Sequence, residues 1–154
     1  MSFNLRHYFA FGSNMNVARV TERALNCGPA TGARLDGFAL RFNKRSRNTP
    51  VSGRANIFQE TGSKVFGVLY QLEKPAEIVK MDRFEHAPVD YRRIVVEVIV
   101  DNQAIACWTY IANDRVVDNS LMPQESYLRH LLAGREFLPK EYVKKLELVV
   151  CLDN

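Results

Sequence analysis

Short apolar runs, each bounded by polar or turn-forming residues, dominate the first half of the chain. Residues 8–11 form the first run and predict a strand, which stops at the turn-forming sequence Gly-Ser-Asn. Residues 17–25 then show helical spacing, with Asn14 or Asn16 as the N-cap. Three more apolar runs predict three further strands, at residues 38–42, 55–59 and 65–72.

The second half of the chain combines helical patterns with one long hairpin. Residues 75–86 predict a helix, because proline suits a first turn and the residue before Pro88 is steered away from helical geometry. Residues 91–100 and 104–112 predict a hairpin of two strands. Two more helices are predicted over residues 125–134 and 139–149. This order of elements predicts an α+β fold with flanking helices, whose small mixed but mainly antiparallel sheet is curled or closed into a barrel.

Length and composition fit one globular domain, which we expect to span residues 1–154. The chain is 47% hydrophobic and 25% charged, as is typical of globular proteins that bury a substantial core. No apolar run approaches the roughly 18 residues of a membrane span, and the N-terminus lacks a secretory signal pattern. We therefore expect a cytoplasmic protein without membrane contact.

The cysteines and histidines do not show the spacing of metal ligands. Cys27, Cys107 and Cys151 lie far apart, as do the 3 histidines. We expect reduced, mostly buried thiols and no metal. Cys27, which precedes a Gly-Pro pair, is the alternative candidate for a nucleophile.

A net charge of +4 and a pI near 9.1 permit weak affinity for nucleic acid. Lys44, Arg45 and Arg47 form a small basic cluster, which a basic RNA-binding domain would use together with nearby aromatic residues. No nucleic-acid-binding motif accompanies the charges. We therefore interpret the cluster as a solvated loop and expect no nucleic-acid partner.

Glu85 is the first candidate for a catalytic residue. It follows Ile78 and Met81 at helical spacing, so its carboxylate continues an apolar stripe. Burial and the negative end of the helix dipole both disfavour the anion and raise its pKa, as a general acid/base requires. The alternative is a structural ion pair with one of three arginines, Arg83, Arg92 or Arg93.

The Gly-Ser-Asn turn at residues 12–14 is the second candidate. A glycine-containing turn between a strand and a helix leaves main-chain N–H groups without intrahelical partners, and such groups can bind one anion. The same three residues also occur in plain connecting turns. The pattern by itself does not separate these two interpretations.

Three separated motifs resemble the γ-glutamylcyclotransferase family. The stretch "YFAFGSNM" is similar to the family's tyrosine-x-glycine-serine-asparagine-leucine signature, and "MDRFEHAPVDYRR" resembles its aspartate-x-x-glutamate segment. The stretch "ESYLRHLLAGREFLPKEYVKKL" is similar to its C-terminal helical segment. The resemblance covers nearly the whole chain, and the second motif also looks like the branch that acts on γ-glutamylamines.

The resemblance implies a reaction without a cofactor. In this reaction the α-amino group of a small γ-glutamyl substrate attacks its own side-chain carbonyl, which closes 5-oxoproline and releases the attached amine. The resemblance implies Glu85 as the catalytic acid/base and Tyr127 as a substrate contact, although Tyr127 also suits a core aromatic beside Leu131. The implied substrate-binding loop consists of Tyr8, Phe9, Ala10, Phe11, Gly12, Ser13 and Asn14.

Three positions depart from the family pattern. Phe11 stands where tyrosine is common, Met15 replaces leucine, and His86 replaces a glycine that often follows the glutamate. The bulk of His86 bears on substrate choice more than on mechanism. A non-catalytic module that binds γ-glutamyl or amino-acid ligands on the same fold is the main alternative, and the sequence leaves the substrate and the oligomeric state open.

Overall fold

Within residues 5–152, which the computed structural model describes, five strands close into a barrel in the order β1-β3-β2-β4-β5. Neighbouring strands are antiparallel except β1 and β5, which pair in parallel at Tyr8 and Trp108. The predicted mixed, mainly antiparallel barrel is therefore confirmed, while the two ends of the expected 1–154 domain lie outside the described residues. The strands are β1 (His7–Ala10), β2 (Cys27–Arg45), β3 (Gly53–Leu72), β4 (Tyr91–Val100) and β5 (Gln103–Ala112).

Four α-helices flank the barrel over the same described range, α1 (Val17–Glu22), α2 (Ile78–Phe84), α3 (Glu125–Leu132) and α4 (Lys140–Glu147). Of the two candidate N-caps of α1, the cap is Asn16, whose side-chain oxygen accepts a hydrogen bond from the Ala18 amide at 3.2 Å. Short 3₁₀ turns are found at Ser13–Met15, Pro75–Glu77, Asp114–Val116 and Arg135–Phe137.

The prediction of three separate strands in residues 38–72 is wrong. Residues 55–59 and 65–72 belong to one strand, β3, and residues 38–42 are the second half of the long strand β2. The polar residues between the two apolar runs leave the ladder in a bulge, since the register shifts between Asp36 and Phe38 while the strand continues. Pairing between distant segments therefore overrides the local polar signal.

Strand β1 is shared by two clusters of buried apolar side chains among the described residues. Tyr8 and Ala10 belong to one cluster, and Phe9 belongs to the other together with Phe11, which follows the strand directly, as the alternation of side chains along an extended chain requires. The first cluster also contains Ile78 and Met81 of α2. The predicted apolar stripe of this helix thus faces the barrel and directs the end of α2 towards β1.

The interpretation of the basic cluster as a solvated loop is wrong for Lys44. This residue lies near the end of β2, its side chain is 4% exposed, and its Nζ lies 2.9 Å from Oδ2 of the buried Asp90. Arg47 approaches the same carboxylate at 2.7 Å, whereas Arg45 pairs with Asp118 at the surface. A buried ammonium needs a counter-charge, and Asp90 provides it from a segment 46 residues away.

We expect Asp90→Asn to destabilise the fold by about 3 kcal/mol or more at neutral pH, because Lys44 then remains buried without a counter-charge. Hydrogen bonds from Arg47 are the main cause that lowers the pKa of Asp90 to about 2. Since this folded-state pKa lies below the unfolded value of 3.8, the Asp90 contribution is present above that value and is lost as the pH falls through about 2. Urea unfolding from neutral pH to pH 2 tests this, and equal stability of the two proteins at neutral pH would contradict it.

Candidate active site

Glu85 and the Gly-Ser-Asn turn line the same cavity, although they lie 71 residues apart in sequence. The cavity has a volume of about 300 Å³ and lies between the end of β1, the C-terminal end of α2 and the first residues of β3. Barrel closure brings these three segments together. Predicted site residues that line it are Tyr8, Phe9, Phe11, Gly12, Ser13, Asn14, Glu85 and Tyr127.

Ala10 is the one predicted site residue that is not among the residues lining the cavity in the described part of the chain. Its side chain is 2% exposed and packs in the first core cluster. Its main-chain oxygen would lie only 2.3 Å from a Cβ added at Gly67 of β3. Ala10 thus packs in the core, and the absence of a side chain at Gly67 permits the close approach of the two strands.

Glu85 is the C-terminal cap residue of α2, and its Oε1 accepts a hydrogen bond from Asn14 Nδ2 at 3.2 Å. Within residues 5–152 its carboxylate forms no ion pair, so the alternative of a structural pair with a nearby arginine does not hold. Arg93 instead binds Asp82 at 3.3 Å and stacks on Trp108. The Glu85 carboxylate is therefore held by a neutral amide.

Asn14 connects the turn to the carboxylate and fixes its own orientation through several partners. Its Nδ2 also lies 3.0 Å from the Tyr8 hydroxyl, and its Oδ1 accepts a hydrogen bond from Arg23 at 2.9 Å. The Tyr70 hydroxyl donates to the main-chain oxygen of Asn14 at 2.6 Å. Because Arg23 occupies the oxygen end of the amide, the nitrogen end faces Glu85.

The Tyr127 hydroxyl forms hydrogen bonds to both the Gly-Ser-Asn turn and strand β3. The hydroxyl oxygen accepts a hydrogen bond from the Ala55 amide at 3.0 Å and a main-chain hydrogen bond from Ser13. Burial is the main cause that raises the pKa of Tyr127, and both hydrogen bonds lower it. A Cβ at Gly12 would lie 3.1 Å from this hydroxyl and 2.9 Å from the Ala55 Cβ. The glycine therefore permits the close approach, and Tyr127 both packs and lines the cavity.

The cavity wall carries an excess of positive charge. Within the described residues, Glu85 is the only carboxylate that lines it, beside six cationic side chains, Arg19, Arg23, Lys44, Arg47, Arg54 and Arg83. Burial raises the pKa of Glu85, although the charges of Arg23 and, less strongly, other cavity cations lower it. Such a cavity attracts anions and holds one carboxyl group whose proton affinity exceeds that of an exposed glutamate.

His86 lies at the cavity edge with a φ angle of 51°, in the left-handed region that favours glycine. We expect His86→Gly to be more stable than His86→Ala by about 1 kcal/mol, because only alanine retains the Cβ that is strained at positive φ. Paired urea denaturation curves measure this difference, and a more stable alanine variant would contradict it.

Residues 5–152 contain neither a membrane-spanning helix nor a cluster of metal-ligating side chains. No helix there has the length and apolar character needed to cross a bilayer. The same part of the chain contains no group of three or more histidine, cysteine, aspartate or glutamate side chains placed to hold a metal ion.

Fold and site together define a small barrel protein with a strongly basic cavity that contains one carboxylate among the described residues. Residues 8–130 match the family described as "Gamma-glutamyl cyclotransferase, AIG2-like", and the chain belongs to this family. It is 30% identical over 150 residues to a gamma-glutamylcyclotransferase of Homo sapiens, and the alignment covers 92% of this chain and 77% of the relative.

Solved structures agree with this assignment. A structure described as a gamma-glutamyl cyclotransferase is similar with a TM-score of 0.84 and 27% identity, over 97% of this chain and 90% of that one. YkqA from Bacillus subtilis shares the fold with a TM-score of 0.80 at 24% identity, over 92% of this chain and 52% of that one.

Proposed function

We propose that this protein converts a γ-glutamyl amino acid or amine to 5-oxoproline and the free amine. One observation carries the proposal. The partly buried carboxylate of Glu85 is held in a basic cavity by the Asn14 amide, its one hydrogen-bond partner among residues 5–152, and the Gly-Ser-Asn turn lines that same cavity. Membership of the cyclotransferase family supports the same chemistry.

Glu85 moves protons between the two nitrogens of the substrate in this mechanism. The α-ammonium group must lose a proton before its lone pair can attack, and the Glu85 carboxylate accepts that proton. A bond forms from the α-nitrogen to the side-chain carbonyl carbon, and the bond from that carbon to the departing nitrogen breaks. Two protons leave the α-nitrogen in total and two arrive at the departing nitrogen, so the protein ends unchanged.

The turn and the basic wall bend the substrate into a reactive conformation. The substrate's α-carboxylate is held by the cationic side of the cavity, and the Gly-Ser-Asn turn, whose Ser13 N–H is bonded to the Tyr127 hydroxyl, contacts the glutamyl unit. Holding the α-nitrogen about 3 Å from the carbonyl carbon contributes roughly 7 kcal/mol or more to lowering the barrier. A main-chain donor aimed at the developing oxyanion contributes roughly 3 kcal/mol more.

The experiment that tests this function measures 5-oxoproline from a panel of γ-glutamyl donors by chromatography. The panel contains γ-glutamyl amino acids, glutathione, γ-glutamyl-ε-lysine and γ-glutamyl-ethylamine. We expect at least one donor to give equimolar 5-oxoproline and amine. Saturable thermal stabilisation by these donors without any product would instead identify a binding module. The absence of both product and stabilisation would contradict the cyclotransferase and the binding module alike.

A further inference from the structure

Asp82 of α2, one turn before Glu85, lies outside the lining of the cavity among the described residues. Its Oδ1 accepts a hydrogen bond from the Tyr110 hydroxyl at 2.7 Å and lies 3.3 Å from Arg93 Nε. Tyr110 is buried and lines the cavity. The Asp82 carboxylate therefore connects the helix that ends at Glu85 to two side chains of the barrel.

The register of the β4–β5 hairpin places these two partners side by side. Arg93 of β4 and Tyr110 of β5 are directly opposite each other in the antiparallel ladder, so their side chains lie on the same face of the sheet. The Arg93 guanidinium also lies 4.3 Å from the centre of the Trp108 ring. Asp82 is thus bound by a regular strand pair, which positions side chains more precisely than a loop does.

The main chain of Asp82 closes the turn that contains Glu85. Its carbonyl oxygen accepts a hydrogen bond from the Ala87 amide at 2.9 Å, and the His86 amide donates to the Arg83 carbonyl at 3.3 Å. With His86 at a φ of 51°, these two bonds form the Schellman motif that ends many helices. Glu85 lies inside this motif, so a shift of Asp82 moves the main chain of Glu85 as well.

The last turn of α2 needs tertiary anchors because the helix is short. It contains 7 residues, and helices of this length are not stable without packing against the rest of the protein. In this turn Met81 packs in the first core cluster, whereas Phe84 is exposed. Asp82 adds a polar contact with the barrel to the apolar contact of Met81.

We propose that Asp82 is a positioning residue, which holds the Glu85 carboxylate in the cavity by binding the last turn of α2 to Tyr110 and Arg93. Asp82 takes no part in proton transfer, since it lies outside the cavity lining of the described residues. The proposal rests on the proposed function for its effect on turnover. Its effect on the ionisation of Glu85 follows from the contacts alone.

The kinetics of Asp82→Ala measure the effect on turnover. Alanine suits a helix and removes the contacts with both barrel side chains. We expect kcat for 5-oxoproline release to fall about 10- to 100-fold, as a small displacement of a catalytic group implies, and KM to stay within about threefold. Asp36→Ala removes a carboxylate that binds an arginine at the surface and, as the matched control, should keep the wild-type kcat. A wild-type kcat in Asp82→Ala, with only a lower melting temperature, would overturn the proposal.

A double-mutant cycle with Tyr110→Phe tests whether Asp82 acts through its tyrosine partner. Tyr110→Phe removes only the hydroxyl group that donates to Asp82. If the two residues act as a unit, the effects of Asp82→Ala and Tyr110→Phe on kcat are not additive in free energy. We expect the double variant to have a kcat within about threefold of that of Asp82→Ala. A loss equal to the full product of the two single losses would overturn the proposal.

The ionisation of Glu85 tests the positioning without any turnover. Burial raises the pKa of Glu85 in the native protein. A loosened last turn admits water to the carboxylate, so this pKa should fall towards the ordinary value of 4.5 in Asp82→Ala and also in Tyr110→Phe, which changes no charge. Carbon-13 NMR of protein labelled at the glutamate side-chain carboxyl measures the fall. The cations that lower this pKa are unchanged in both variants, namely Arg23, Lys44, Arg54 and Arg19.

The NMR result separates this proposal from the proposed function. If the wild-type protein releases no 5-oxoproline from any donor, the proposed function fails, and a lower Glu85 pKa in both variants still supports positioning by Asp82. An unchanged Glu85 pKa in both variants would overturn the positioning whether or not turnover is seen. A lower pKa in Asp82→Ala alone would identify an effect of charge and would overturn it as well.

Discussion

Glu85→Gln is expected to lower kcat for 5-oxoproline release by about 10²- to 10⁴-fold, the range that general acid/base groups contribute. Glutamine has nearly the same shape and keeps an oxygen that accepts the hydrogen bond from Asn14 Nδ2, 3.2 Å from Glu85 Oε1 in the native protein. It cannot accept a proton. The measurement is steady-state 5-oxoproline production with the best donor of the panel.

The fold of the Glu85→Gln protein provides an internal check. Because burial raises the pKa of Glu85 in the folded state, ionisation of this group opposes folding as the pH rises through that pKa. The glutamine protein should therefore be at least as stable as wild type at neutral pH, and the difference should shrink as the pH falls. Glu125→Gln, on an exposed position of α3, is the matched control and should keep full activity. Glu85→Gln turnover within threefold of wild type would remove Glu85 from the mechanism.

Asn14→Asp is expected to lower kcat/KM at neutral pH by tenfold or more and to move the acidic limb of the pH–rate profile upward. The substitution replaces the donor that faces Glu85 by a second carboxylate oxygen at about the same place. Two carboxylates in one site do not ionise independently, so the macroscopic pKa of the pair rises. The cations Arg19, Arg23, Lys44 and Arg54, which lower the Glu85 pKa, reduce this rise without cancelling it.

The pH dependence of kcat/KM between pH 5 and 9 measures the effect of Asn14→Asp. Asn102→Asp makes the same change of charge in the exposed turn between β4 and β5, where Asn102 has a φ of 66° that aspartate also tolerates. This control should keep the wild-type profile. An unchanged acidic limb in Asn14→Asp would show that residue 14 does not control the ionisation of the catalytic group.

Elements with local signals are predictable from the sequence. The β4–β5 hairpin follows from two apolar runs around a turn, and Asp101 and Asn102 adopt the positive φ angles, 48° and 66°, that such two-residue turns demand. The continuity of β3 is not predictable in this way, because residues 59–64 are polar and their place in the strand depends on β2. The buried state of Lys44 likewise depends on Asp90, which no local pattern connects to it.

The candidate site likewise contains some residues that sequence patterns reveal and others that they do not. Helical spacing places Glu85 on the inner face of α2, and the glycine turn marks residues 12–14. Arg19 and Arg23 carry a signal that the sequence analysis missed, since four-residue spacing puts both on one face of the helix that follows the turn. Arg54 and Tyr91 enter the cavity only through barrel closure, so sequence patterns do not reveal them.

The ionisation of Glu85 is the most direct test of the account, which requires this one carboxyl group to accept and return the proton. Carbon-13 NMR of protein labelled at the glutamate side-chain carboxyl measures the ionisation of Glu85 as a function of pH. The Glu85 resonance is identified as the one that is missing from the spectrum of Glu85→Gln. We expect the Glu85 signal to titrate above the ordinary glutamate value of 4.5 and in the same range as the acidic limb of kcat/KM. A Glu85 signal with a pKa at or below that ordinary value, and outside the pH range of the acidic limb, would contradict the account.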